Sequence, residues 1–113
     1  MAEAGPEPFT ARQTALLEQL LRAGFTFITF EYYARYVGVR KENFVALLEP
    51  AEGRFRVFSQ AGLLIEDGIG MLVERGGRQV FVWKEHTVPA TPELLEAYER
   101  FRSELHRFLA SES

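Results

Sequence analysis

Basic side chains are the first residues of this chain that could do chemistry. Arg40, Lys41 and Asn43 fall in one short stretch, and Arg75 and Arg78 bracket the pair Gly76-Gly77. Arginine and lysine are permanent cations that pair with anionic groups, and arginine, lysine and asparagine all donate hydrogen bonds, so the chemistry on offer is recognition of an anionic or hydrogen-bonding partner. Nothing comparable exists for catalysis. His86 and His106 are the only histidines, stand twenty residues apart and share no ligand-like spacing with a carboxylate. Gly68-Ile69-Gly70 opens like a dinucleotide fingerprint, but the third glycine is missing and the segment runs into a strand-like sequence. With no cysteine there is no disulfide, thiolate metal site or cysteine nucleophile. No phosphate-binding loop, serine elbow or paired-carboxylate motif is present, so a non-enzymatic protein without cofactor or metal is expected.

The elements that must position these side chains follow from caps, turns and periodicity. Residues 1–9 carry Gly5, Pro6 and Pro8 without periodicity and read as a flexible lead-in. Thr10 with Gln13 forms a capping-box pattern, and Leu16, Leu17, Leu20 and Leu21 recur at helical spacing, giving a first helix over Ala11–Ala23 that ends at Gly24. Phe25–Ile28 is a short extended connection. From Phe30 to Leu47, FEYYARYVGVRKENFVAL spaces apolar and small residues as two short helices joined at Gly38, whose positive φ would allow the turn. Ala34 permits close approach, Tyr33, Val37, Val39, Phe44 and Leu47 supply buried faces, and Pro50 stops the third helix, Arg40–Glu49. Tyr32 and Tyr36 then face outward. In Ala51–Gln60, RFRVF alternates like a strand while Phe55 and Phe58 could share a helix face, and the helical reading is preferred. Beyond it, segments separated by Asp67-Gly68 and by Gly76-Gly77 read as a hairpin or three-strand meander. Thr91, Pro92 and Glu93 begin a last helix with a cap, a first-turn proline and a favourable acid.

The paired short helices followed by β-rich sequence resemble the winged-helix branch of the helix-turn-helix superfamily. The resemblance implies an α+β fold: a winged helix-turn-helix with a β-hairpin or three-strand sheet over residues 10–88, and a C-terminal helix over residues 91–110. It also implies a DNA-binding transcriptional regulator acting as a dimer. Arg40, Lys41 and Asn43 would lie on the recognition helix and Arg75 and Arg78 at the wing tip. Leu94, Tyr98, Phe101, Leu105 and Phe108 alternate four and three apart, the spacing of a coiled-coil seam, which points to a homodimer through the last helix. The same stripe would equally serve the chain's own core.

Composition qualifies that picture. In 113 residues with 47% hydrophobic content there is material for one domain, and ten Phe with four Tyr imply an aromatic core. The net charge of -3 opposes strong DNA affinity, although ten Arg and Lys face eight Asp and Glu between Arg12 and Lys84. Recognition-helix positions Glu42, Val45, Ala46 and Glu49 also offer little to a major groove. The alternative reading is therefore a winged-helix-like protein-interaction or assembly module without strong DNA binding, contacting a protein partner through Tyr32, Tyr36 and the last helix. A small-molecule pocket between the sheet and that helix is a further option. No apolar run approaches the roughly 18 residues of a membrane span, and MAEAGPEP lacks the features of a signal peptide. No membrane contact and a cytoplasmic location are expected.

Overall fold

Tight turns organise this chain into a meander. The computed structural model describes residues 9–30, 33 and 35–110, with only the backbone of Ser59. Helix α1 (Ala11–Arg22) is followed by strands β1 (Thr26–Ile28), β2 (Val37–Lys41), β3 (Phe44–Ala51), β4 (Arg54–Ile65), β5 (Gly68–Arg75), β6 (Arg78–Trp83) and β7 (His86–Pro89), and helix α2 (Pro92–Ala110) ends the fold. The strands form one sheet in sequence order, with every adjacent pair antiparallel. It curls into a half-barrel with a helix at each end of the chain. Both helices start at their predicted caps. Thr10 and Gln13 make the reciprocal capping box, and Thr91 Oγ1 accepts from the Leu94 amide at 3.1 Å.

The winged helix is not formed. Residues 37–51, expected to hold the end of one helix and all of the next, are the β2–β3 hairpin, and the expected three-strand sheet has seven strands. The physical reason lies in Phe44–Leu48, a run buried at every position. Phe44, Ala46 and Leu48 face α1 and α2, whereas Val45 and Leu47 face Phe30, Tyr33 and Tyr36 on the other side of the sheet. A strand covered on both faces loses its polar alternation and matches a buried helix. Gly38 has a different role from the one expected. It lies inside β2, buried, and an added Cβ would stand 2.2 Å from the Ile28 carbonyl oxygen. What it provides is close approach of β1, not a turn. Pro50 lies beyond the last β2 partner of β3, which ends at Val37 opposite Leu48, so its missing N–H costs no ladder bond. Residues 54–60, read as helix, are the first half of β4. Tyr32, Ala34 and the lead-in 1–8 lie outside the described residues.

Two apolar clusters hold the sheet. On the helix side, Leu16 and Leu20 of α1 and Tyr98, Phe101 and Leu105 of α2 pack on Phe25, Val39, Phe44, Leu48, Phe55, Leu63 and Phe81. The opposite face carries a smaller cluster of Phe30, Val45, Leu47 and Ile69, bordered by Tyr36 stacked on Phe58 at 4.3 Å between ring centroids. No helix among the described residues is long and apolar enough to cross a membrane.

Candidate protein-interaction site

Antiparallel order fixes which turns share an end of the sheet. Turns β2–β3, β4–β5 and β6–β7 lie at one end, and turns β3–β4 and β5–β6 at the other. Arg40, Lys41 and Asn43 therefore sit at the opposite end from Arg75 and Arg78, and the five expected DNA contacts do not share a surface. Lys41 is moreover engaged. Its Nζ lies 2.9 Å from Glu104 Oε2 on α2, donates at 2.8 Å to the Ala23 carbonyl at the end of α1, and stands 5.1 Å from the centre of the Phe25 ring. This lysine ties β2 to both helices. Arg40 Nε donates to the Glu42 carbonyl at 2.8 Å across the turn, and Asn43 is exposed in it. The expected dimer stripe faces inward: Tyr98, Phe101 and Leu105 are core, with Leu94 and Phe108 packed against it. His86 and His106 are exposed, and no group of metal-binding side chains occurs among the described residues.

The unusual geometry lies between β4 and β5. Over Leu63–Ile65 the two strands pair with Gly68–Gly70, and there the pairing stops. Beyond it, among the described residues, β4 continues as Arg54–Gly62 with β3 as its strand partner, and β5 continues as Met71–Arg75 with β6 as its strand partner. The cause is an irregularity in β4: Val45 pairs with Gly62 and Leu47 with Phe58, so Ser59, Gln60 and Ala61 lie opposite Ala46 only. Extra residues bend a strand and terminate its pairing. Two glycines accommodate the bend, since a Cβ on Gly62 would meet the Gly70 carbonyl oxygen at 2.5 Å. The Tyr98 hydroxyl donates at 2.8 Å to the Ala61 carbonyl, satisfying one acceptor of the bulge. Burial pushes the Tyr98 pKa above its ordinary value near 10, with Glu99 reinforcing and Arg102 opposing the shift.

Hairpin geometry identifies the peptide groups that line the split. A two-residue turn closes on a pair that exchanges both hydrogen bonds, and such pairs alternate with pairs that exchange none. Counting from Ala51 opposite Arg54, residues Arg54, Arg56 and Phe58 bond to β3, while Phe55 and Val57 turn their N–H and C=O groups away from it. Counting from Arg75 opposite Arg78, residues Leu72 and Glu74 turn theirs away from β6. The free peptide groups of Phe55 and Val57 and of Leu72 and Glu74 thus point to the side on which β4 and β5 diverge. On the helix side a cleft of about 430 Å³ opens among Val57, Gln60, Ala61, Arg102 and His106. On the other face a trough of about 240 Å³ is lined by Tyr33, Phe58, Gln60, Met71 and Val82. Gln60 borders both, so each face of the sheet carries a hollow beside the β4 lip, and the trough alone is bordered by β4 and β5 together.

The split has no counterpart in the sequence reading, which takes residues 51–60 as helix. The available signal was the length of the apolar stretch from Phe55 to Ile65, interrupted by Ser-Gln-Ala-Gly, which is how a long bulged strand reads. Comparison of the chain with protein-family models, curated proteins and solved structures finds no match.

Proposed function

We propose that this protein is a non-enzymatic protein-interaction module that associates with other polypeptides through unpaired strand edges. The observation that carries the reading is the register break in β4, which leaves stretches of β4 and β5 without a strand partner on one side among the described residues. An exposed edge is a template for pairing with another chain, and folded proteins blunt edges they do not use. The outer edges here are blunted: β1 has three residues, and β7 has four and ends in Pro89. The inner lips are longer, and the described part of β4 that borders the gap, Arg54–Gln60, contains no proline. Contact with double-stranded DNA has less support, because the expected recognition helix is a hairpin, and Arg40, Lys41 and Asn43 lie at the opposite end of the sheet from Arg75 and Arg78.

Two titrations test the reading. Reduced, carboxymethylated α-lactalbumin, a permanently unfolded chain, should bind at micromolar concentration in calorimetry. Mixed-sequence duplex DNA should show no salt-sensitive anisotropy change. Binding of the duplex at moderate salt without binding of the unfolded chain would overturn the proposal.

A further inference from the structure

Resting on that reading, we infer that the split between β4 and β5 is a receptor for one inserted strand: an extended peptide, apolar at alternate positions, with an acidic residue at its C-terminal end. The argument begins with hydrogen-bond complementarity. Phe55 and Val57 on one lip and Leu72 and Glu74 on the other each turn an N–H and a C=O toward the side on which β4 and β5 diverge. Only an extended polypeptide carries donors and acceptors along both of its sides at the strand repeat of about 3.3 Å per residue. Pairing with a sheet edge supplies affinity through the main chain, while pockets for alternate side chains supply specificity.

Those pockets exist on both faces. Side chains of an inserted strand point alternately to the two sides of the sheet. One set enters the trough walled by Tyr33, Phe58, Met71 and Val82, which takes apolar groups. The other set enters the cleft beneath α2, whose wall carries Glu99, Arg102, Ser103 and His106 and takes polar ones. An alternating peptide satisfies both, and a uniformly apolar one would leave the second set facing charged groups.

Charge sets the direction. β4 and β5 run oppositely, so an inserted strand is antiparallel to one lip and parallel to the other. Antiparallel pairing is slightly the more stable per residue and β4 is the longer lip, which places the peptide's C-terminal end at the β3–β4 and β5–β6 turns. Arg54, Arg75 and Arg78 stand at that end, all exposed and none in an ion pair with another described residue. Glu52 and Glu74 offset them in part, leaving a net positive mouth suited to a carboxylate.

The test selects phage-displayed random dodecapeptides on the full chain and synthesises the enriched ones. Enriched sequences should alternate apolar and polar residues and carry Asp or Glu near the C-terminal end. Bound peptide should slow amide exchange at residues 55–60 and 71–75. Two variants report on the site. Val57→Pro deletes a gap-facing N–H that the β3–β4 ladder does not use, and Gln60→Trp plugs the split from an exposed position; each should weaken binding at least tenfold. Folding of both is checked by circular dichroism, and Gln60→Trp alone decides the matter if the proline variant is unfolded. Exchange protection at α1 or β1 instead, or affinity unchanged by the plug, would overturn the insertion site while leaving a protein-interaction module in place. Failure to enrich any peptide, with the unfolded lactalbumin chain still bound, would overturn the strand pattern alone.

Discussion

Tyr98 shows how much one side chain can hold. The residue is 2% exposed, its ring packs edge-on against Phe81, and its hydroxyl reaches the carbonyl of the β4 bulge. Removing one partner of a buried hydrogen bond leaves the other desolvated, which costs about 1–3 kcal/mol. Tyr98→Phe should therefore lower the melting temperature by several degrees at neutral pH. The pH dependence has a definite sign. Because the folded pKa is raised, the neutral phenol is favoured by the fold; that stability is fully present below the unfolded value near 10 and is lost as pH rises through the raised folded value. Thermal melts between pH 8 and 11 should show a decline above pH 10 that is shallower in Tyr98→Phe. Parallel curves for the two proteins would remove Tyr98 from this role.

At the level of elements, β1 depends on Gly38. The residue has Ile28 on one side and Leu47 on the other, and the space where a Cβ would sit holds the Ile28 carbonyl. Gly38→Ala should cost about 1–3 kcal/mol, the usual penalty for overpacking. It should also loosen Thr26–Ile28, so a denaturation midpoint at the wild-type value with unchanged exchange there would refute the close-approach role. Gly38 also illustrates what was legible in the sequence. Caps and tight turns are local, so Thr10 with Gln13, Thr91 with Pro92, and Gly76-Gly77 marked their structures directly. Phe44–Leu48 was not legible, because burial on both faces comes from elements distant in the chain, α2 above all. The split escaped for the same reason: the lips at Val57 and Leu72 are defined by a pairing that stops, and an absent partner leaves no mark on a strand's own residues. The surroundings of Lys41 were not legible at this scale either, since adjacency in the chain placed it beside Arg40 but could not foresee Glu104 reaching it from α2.

For the molecule as a whole, the decisive assembly is the closure of the helix-side core by α2. Tyr98, Phe101 and Leu105 cover Phe25, Phe44 and Phe81, and fully burying a large apolar side chain stabilises by about 1.5–3 kcal/mol. Several such groups together approach the whole stability of a typical domain, about 5–15 kcal/mol. A chain ending at Ala90 should consequently show no cooperative thermal transition and should aggregate by light scattering. A two-state melt from that truncated chain would mean that the sheet is stable without its covering helix. The same closure explains why the seam from Leu94 to Phe108 resembles a coiled coil: the stripe is wide because a curved sheet, and not a narrow partner helix, lies beneath it.

The strictly sequential order of the strands also bears on how the chain comes into being at the ribosome. Each hairpin can close as soon as its second strand emerges, because no strand waits for a partner from a later part of the sheet. The covering helix is made after every strand of the sheet, and its 19 residues take on the order of one to a few seconds to synthesise at about 5–20 residues per second. For that interval the part of the aromatic face that α2 covers stays open, so the growing chain passes through a stage at which a molecular chaperone has something to hold, and it leaves that stage when α2 is complete.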